Sequence, residues 1–384
     1  MPLLRFRYGA YLSREKVAEL IAPHPDSLEL VFSWLKYNGV PPSSISSTHG
    51  DSWVTIIGVP VSQANILLGA SYEIYYHTST NETILRTVGY ALPAALHMHV
   101  QTIVPTTAFT SISLLRQKPR RRSGGEAANV TSGEPSDVPL HGDGSHIMPS
   151  FLRWLYAMPF SYPAAAGPNM LGIAGFGDER PDPIDQFLFM TVYRSDTNPN
   201  AAVVNVMPIN DGADNESPPG ERGNLDTQYG VALTFPTPVI YYTVGGTRDI
   251  SPSGDANFGD QYFQWLRNLT NEPIIPQTIS VPYFTREPDL PPEYTNTLCL
   301  MFAQLGSRGV SVLAASGEDG VGLGDCKDTS GKFYTVFPAS CACHIHSLLE
   351  RYIQGSLQAA HRTLVISQVL MSLVSVVRRA LTPS

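Results

Sequence analysis

The sequence predicts a compact α+β module followed by an α/β domain built on a mostly parallel sheet. Three observations carry this prediction. Over the first hundred residues short helical and strand patterns alternate, as in a small two-layer sandwich. Residues 110–150 lose all periodicity and read as a linker. From residue 151 short continuous apolar strands alternate with helices, the pattern of a sheet covered on both faces.

In the first module Ser13 caps a helix running through Leu20. Asp26-Ser-Leu-Glu29 opens a second helix as an acidic variant of the capping box. That helix carries Leu28, Val31, Phe32 and Leu35 on one face. Trp53 to Val59 reads as a strand, Ser62 to Leu68 as a short helix, and Tyr72 to His77 with Ile84 to Val88 as a hairpin-like pair. The linker holds the basic run Arg116-Gln-Lys-Pro-Arg-Arg-Arg122 and then His141-Gly-Asp-Gly-Ser-His146. Exposed basic linkers are readily cut by proteases, and a merely solvated linker is the plainer alternative.

In the second domain Met170 to Phe176 is a buried strand and Leu225 to Leu233 a helix. Val239 to Val244 and Thr278 to Tyr283 are strands. Glu293 to Leu305 is an amphipathic helix stopped at Gly306, and Gly309 to Ala315 is a buried strand ending in Gly-rich turns. Sites in such sheets lie beyond the carboxyl ends of the strands. Ser316-Gly-Glu-Asp-Gly320 therefore falls at a functional edge.

Composition narrows the function. The chain has 384 residues, 43% hydrophobic and 15% charged, with 31 Gly and 32 Pro. Those figures exclude a disordered chain and a collagen-like fibre. With 25 Lys+Arg against 33 Asp+Glu the net charge is −8, which argues against a nucleic-acid partner. Charge is uneven: residues 1–122 carry 11 basic and 7 acidic side chains, residues 123–341 carry 10 and 25, and the last 43 carry 4 and 1. A basic segment ahead of an acidic one suggests two mutually attracting parts, with drift in surface composition as the alternative.

Met1 to Leu12 lacks the apolar core of a secretory signal. Four Asn-x-Ser/Thr sequons, at Asn81, Asn129, Asn215 and Asn268, give a mild hint of secretion and of a glycoprotein. Four cysteines make no disulfide scaffold, although Cys326 and Cys341 could close a Pro-containing loop. The apolar stretch Thr363 to Val377 is too short and too polar to span a bilayer, so no membrane partner is expected.

Several motifs fail on their spacing. Gly172, Gly175 and Gly177 follow a strand but miss the dinucleotide fingerprint, and Pro181 and Pro183 discourage an immediate helix. Cys341-Ala-Cys343-His344-Ile-His346 lacks the second ligand pair a zinc site needs. His97-Met-His99 reads as surface histidines alternating on a strand. A Gly-x-Ser-x-Gly elbow, a Gly-Lys-Ser/Thr loop and an HExxH helix are all absent.

Longer stretches carry a resemblance. Tyr11-Leu-Ser-Arg-Glu-Lys-Val-Ala-Glu-Leu-Ile-Ala-Pro23, Gly58 to Gly69 and Leu85-Arg-Thr-Val-Gly-Tyr-Ala-Leu-Pro93 resemble the prosegment of the sedolisins, the serine-carboxyl peptidases. Met148-Pro-Ser-Phe-Leu-Arg-Trp-Leu-Tyr156 is similar to the start of their catalytic domain. Phe302 to Leu313 and Phe337-Pro-Ala-Ser-Cys341 resemble its interior. The match runs from about residue 8 to 341 and is nearest to fungal tripeptidyl peptidases.

The resemblance implies a zymogen with a ferredoxin-like prosegment and a subtilisin-like α/β catalytic domain, secreted and acting on peptide or protein substrates at acid pH. It divides the chain into a prosegment (1–110, lacking its first part), a linker (111–147), a partial catalytic domain (148–341) and an unrelated tail (342–384). It also implies a Ser, Glu and Asp catalytic set, an oxyanion-hole Asp, and calcium near the C-terminus. Carboxylates replace His in that chemistry because a His base would be protonated in acid.

Carried over residue by residue, the set is damaged. The family helix reads Glu-x-x-Leu-Asp, with Glu and Asp on one face. Arg222-Gly-Asn-Leu-Asp226 keeps Asp226 and puts an arginine, which cannot accept a proton, at the base position. Glu221 lies about 100° away around the helix. The oxyanion turn Ser-Gly-Asp-x-Gly becomes Ser316-Gly-Glu318-Asp319-Gly320, so Glu318 is one methylene longer, and Asp319 substitutes only if the turn shifts. The substrate-binding Ser-x-Ser-Tyr-Gly becomes Ser280-Val-Pro-Tyr-Phe284.

The nucleophile belongs to a Gly-Thr-Ser segment expected soon after Cys341, where the resemblance stops. The tail from Ala342, a weakly amphipathic helix by pattern, reads as a translated intron, a frameshift or a truncated gene copy, and the Asp-rich calcium segment is missing from it. The expectation is an inactive sedolisin without cofactor or metal, its partial sheet leaving edges and apolar faces exposed and the domain aggregation-prone. The alternative is an interaction protein whose prosegment inhibits or chaperones a paralogous protease.

Overall fold

The computed structural model describes residues 10–47, 52–76, 83–109, 147–158, 169–177, 179–214, 217–245, 261–317 and 333–341. Glu318, Asp319, the basic linker, the tail and the sequons at Asn81, Asn129 and Asn215 lie outside them.

Residues 10–109 form the α+β module. Helix α1 (Arg14–Ile21) starts where Ser13 Oγ accepts the Lys16 amide at 3.2 Å. Helix α2 (Pro25–Tyr37) begins earlier than the sequence pattern indicates. His24 Nδ1 caps it by accepting the Asp26 amide, and Pro25 supplies a pre-set φ at the first position, so Asp26 sits in the first turn instead of the cap. Strands β1 (Ile45–Ser46) and β2 (Thr55–Ile56) pair antiparallel. The strand expected from Trp53 to Val59 shrinks to two residues, with Gly58 at φ +73° just beyond it.

Helix α3 (Val61–Leu68) stops at Gly69 in the left-handed region. Strands β3 (Glu73–Tyr76) and β4 (Thr83–Arg86) form the anticipated antiparallel pair. Leu35, Val40, Leu67 and Leu68 make a core for the module. His97 and His99 are not on a strand. They follow a 3-10 turn, His97 Nε2 lying 2.9 Å from Leu92 O and His99 Nδ1 2.8 Å from Ser27 Oγ.

The second part is a five-stranded parallel sheet in the order β10-β8-β5-β7-β6. Its strands are β5 (Leu171–Phe176), β6 (Val204–Ile209), β7 (Val239–Val244), β8 (Thr278–Val281) and β10 (Ser311–Ala314). A small antiparallel pair, β9 (Thr285–Arg286) with β11 (Val336–Phe337), flanks it. Helices α4 (Pro149–Leu155), α5 (Pro183–Tyr193), α6 (Glu221–Thr234), α7 (Gln261–Asn271) and α8 (Pro292–Ser307) complete the described elements.

Helix α5 corrects the sequence reading. Pro183 does not prevent a helix after β5 but occupies its first turn, where its missing N–H costs nothing. Asp182 caps that helix, Oδ1 accepting the amides of Ile184 at 2.7 Å and Asp185 at 3.1 Å.

Alternation along the strands divides the core. Leu171, Ile173, Val239 and Tyr241 face α5 and α6, meeting Met190, Val231 and Leu233. Ala174, Phe176, Tyr242 and Val244 face α7 and α8, meeting Trp265, Leu266, Leu298 and Phe302. The glycines that mimic a phosphate loop serve this packing. A Cβ on Gly175 would lie 2.3 Å from Tyr241 Oη, and one on Gly172 would lie 3.2 Å from the Tyr242 ring. Two large tyrosines of β7 thus lie flat against β5 because β5 offers no side chain there.

The module docks on α7 and α8. Leu12 donates its amide to Ser307 O at 3.0 Å, Arg14 Nη1 donates to Asn271 O at 2.9 Å, and Trp53 meets Phe263 edge-on at 4.3 Å. These contacts are apolar or to backbone, and Glu15 of the module attracts the Arg308 guanidinium just after α8 while Arg14 repels it. Cys341 pairs with Cys299 on α8, not with Cys326, because α8 carries Cys299 to within 5.4 Å of it between Cα atoms. No helix among the described residues is long and apolar enough to cross a membrane.

Candidate active site

The carboxyl ends of β5 and β8 and the amino end of α6 converge on one cluster. Beyond β5 the chain turns at Gly177, φ +82°, and presents Glu179. One oxygen of that side chain, Oε2, accepts the backbone amides of Arg222 at 3.0 Å and Gly223 at 3.1 Å. Glu179 is therefore the cap of α6, a carboxylate on the positive end of a helix. Gly220 makes room for it, since a Cβ there would lie 2.6 Å from Glu179 Oε2. Gly223 is likewise required, because its Cβ would meet the Arg180 backbone at 2.7 Å.

Arg222 occupies the second position of α6, and Asp226 follows one turn later, 6% exposed. The two share a helix face, as the spacing predicts. Arg222 Nη1 donates to Pro282 O at 2.9 Å, and its guanidinium lies 5.4 Å from the centre of the Tyr283 ring. Glu221 instead points to solvent. Arg222 thus couples α6 to the stretch after β8.

That stretch is locked. Tyr283 and Phe284 are fully buried. Tyr283 Oη donates to Phe176 O at 3.2 Å, and Tyr262 Oη donates to Tyr283 O at 2.9 Å. Burial pushes the Tyr283 hydroxyl well above the usual tyrosine range. Asp226 adds to that rise, Arg222 opposes it and Glu179 adds again. Tyr241 is raised by burial first, then by Tyr283, Asp226 and Glu179. Burial favours the neutral form of both phenols, and Tyr283 uses its proton to bond Phe176 O.

Of the two predicted site residues, Asp226 stands in this cluster and Glu318 lies outside the described residues. Ser316 and Gly317, just before Glu318, are described beyond β10, Gly317 at φ +104°. Sequence reading missed Glu179 and Tyr241, and it met Tyr283 only as part of the altered motif Ser280 to Phe284. The signal for Glu179 was its place directly after a buried parallel strand. The described residues gather no group of three or more His, Cys, Asp or Glu side chains that could hold a metal ion.

Comparison with known proteins bears on what the cluster is. The family described as Pro-kumamolisin, activation domain, matches residues 5–109. Tripeptidyl-peptidase SED2 of Arthroderma otae is 31% identical over 354 residues, covering 88% of this chain and 57% of the relative. Probable tripeptidyl-peptidase SED2 of Trichophyton verrucosum is 32% identical with the same coverage. The chain belongs to the sedolisin family.

Probable tripeptidyl-peptidase SED3 of Arthroderma benhamiae is a further relative, 30% identical over 347 residues. This sedolisin spans rather more than half the length of these relatives, 57% and 56% of them. The activation-domain match coincides with the α+β module that docks on α7 and α8. The sheet that follows carries Arg222, Asp226 and Glu179 in the sedolisin part of the chain.

Proposed function

We propose that this sedolisin is tripeptidyl-peptidase-like by descent and does not hydrolyse peptides. The observation that supports this reading is the Arg222 side chain. An acid-acting serine-carboxyl peptidase needs a carboxylate at this position to take the proton of its serine. Arginine stays protonated at every working pH, and here its guanidinium donates to Pro282 O. Asp226 keeps the orienting position without a base to orient. Glu318 supplies an oxyanion carboxyl with an extra methylene, and misplacement by about 1 Å costs orders of magnitude in rate.

The locked stretch after β8 supports the same reading. The carbonyls of Pro282 and Tyr283 already accept hydrogen bonds from Arg222 and Tyr262. An extended peptide substrate would need such backbone groups for strand-like pairing. The test is incubation at about pH 4, where carboxylate bases work, with an unblocked peptide. No tripeptide is expected above a control treated with a serine reagent. Release above that control overturns the reading.

A second reading follows from the docked module. Residues 10–109 have their own core and contact α7 and α8 through Leu12, Arg14 and Trp53. The same surface could engage an intact paralogous protease, inhibiting it or helping it fold, in an extracellular setting. Titration of the whole chain into an active sedolisin at two ionic strengths tests this. Unchanged protease activity and refolding yield dispose of it.

A further inference from the structure

Helix α5 presents an apolar face to solvent. Ile184, Leu188 and Val192 recur every four residues and are 68%, 53% and 50% exposed. Phe187 lies beside them on the same face, about a sixth of a turn before Ile184. Buried Gln186 and Met190 mark the opposite, core-facing side. Leu225 on the adjoining α6 and Val203 before β6 are exposed too. Together these six apolar residues expose on the order of 600 Å², at the top of the range for a monomer's largest apolar patch. A standard interface buries about 800 Å² per partner, of which some 56–58% is apolar.

We infer that α5 is a self-association surface, and that its occupant is the α5 of a second copy of this chain. The spacing favours a copy. A row at i, i+4 and i+8 is one ridge of a helix, and two such ridges interlock at about −50° across a two-fold axis. With Leu188 at that axis, Ile184 of each copy meets Val192 of the other, so one face is complementary to itself. The available area matches what a stable dimer needs. Charge disfavours a lipid surface: α5 contains no Lys or Arg, and Asp182 and Asp185 sit at its start. Pairing through the β6 edge of the sheet is disfavoured because that strand carries Pro208.

Sedimentation equilibrium of the full chain up to roughly 100 µM tests this, a range that covers ordinary dimer affinities. A concentration-dependent dimer is expected. Leu188→Glu, placed at the axis, should weaken it at least tenfold while the far-ultraviolet circular dichroism stays that of the wild type. Should Leu188→Glu fail to fold, Leu188→Cys supplies an independent readout. It should form a disulfide-linked dimer in air above the wild-type background, whereas Thr191→Cys, off the axis, should form less. A monomer throughout, as expected if another segment of the same chain covers α5, overturns the inference. So does a dimer indifferent to residue 188, or one found only on added vesicles.

Discussion

Glu179 is the clearest point at which one side chain holds the candidate site together. Its Oε2 accepts two amides at the amino end of α6, from Arg222 at 3.0 Å and Gly223 at 3.1 Å. Loss of a helix cap typically costs about 0.5–2 kcal/mol, and a hydrogen bond to a charged group contributes about 1.5–3 kcal/mol. Water reaches this carboxylate in part, so Glu179→Ala should cost about 2 kcal/mol, near the lower end of those combined values. In a domain of this size that lowers Tm by roughly 4–8 °C. Glu179→Gln, which keeps an acceptor oxygen without the charge, should lose about half as much.

Gly220 gives an internal control on that number. A methyl group there would sit 2.6 Å from Glu179 Oε2, so Gly220→Ala should be harmful in the wild type and far milder beside Glu179→Ala. Urea unfolding of the four proteins gives the coupling directly, provided their m-values agree. A Glu179→Ala cost below about 0.5 kcal/mol, or strict additivity with Gly220→Ala, would refute the capping argument.

The remaining predictions concern the core, the disulfide and the tyrosines. Gly175→Ala puts a Cβ 2.3 Å from Tyr241 Oη at the buried centre of the sheet and should cost about 3 kcal/mol or more, read from the urea midpoint. A cost under about 1 kcal/mol would show that Tyr241 can move aside. Cys299→Ser opens a link across 42 residues, for which loop entropy gives about 4 kcal/mol. Equal stability of the variant and the wild type under non-reducing conditions would reject that cross-link. Burial raises the Tyr72 hydroxyl to about 12, above the unfolded value near 10. Its contribution is present below pH 10 and lost as pH rises through 12, because the unfolded chain ionises first. Tyr90, Tyr229, Tyr242, Tyr241 and Tyr283 shift the same way. Urea midpoints should therefore fall between about pH 10 and 12, and a flat profile there would contradict the shared direction.

How much of this was legible from the sequence follows from which forces act locally. Strand β7 is read to the residue, because Val239 to Val244 is apolar on both faces and ends in glycines. Helix α1 was legible from Ser13 alone. Helix α5 was hidden by a rule applied too broadly: proline stops helices in their interior and starts them at the first turn, where Pro183 stands. Strand β6 was hidden because Asn205 and Pro208 break its alternation, a freedom that an edge strand has and a central strand lacks.

Within the site, spacing brought Arg222 and Asp226 to one helix face, since four residues make about one turn. It could not bring in Glu179, which lies 43 residues earlier and meets Arg222 only through the β5–α6 geometry. The disulfide was misassigned for a related reason. Sequence proximity favoured Cys326, while the fold brings α8 and its Cys299 to Cys341.

Arginine at position 222 has a physical consequence beyond the loss of a base. Glu179 and Asp226 both act on Tyr283, and Arg222 is the cation that opposes them there. A glutamate at 222 would join Glu179, Glu221 and Asp226 as a fourth carboxylate around the start of α6 and remove the bond to Pro282 O. Like charges held close raise the pKa of carboxyl groups in the folded state. Such groups favour folding at low pH, and that contribution is lost as pH rises through their folded values. Arg222→Glu should therefore be less stable at about pH 7 than at about pH 4.5, relative to the wild type at each pH. Arg222→Gln, which loses the same hydrogen bond without adding charge, should show a deficit nearly independent of pH. If urea midpoints of the two variants move in parallel between those pH values, the cluster does not need its arginine for charge balance. Arg222 would then serve the fold through Pro282 O and the Tyr283 ring alone.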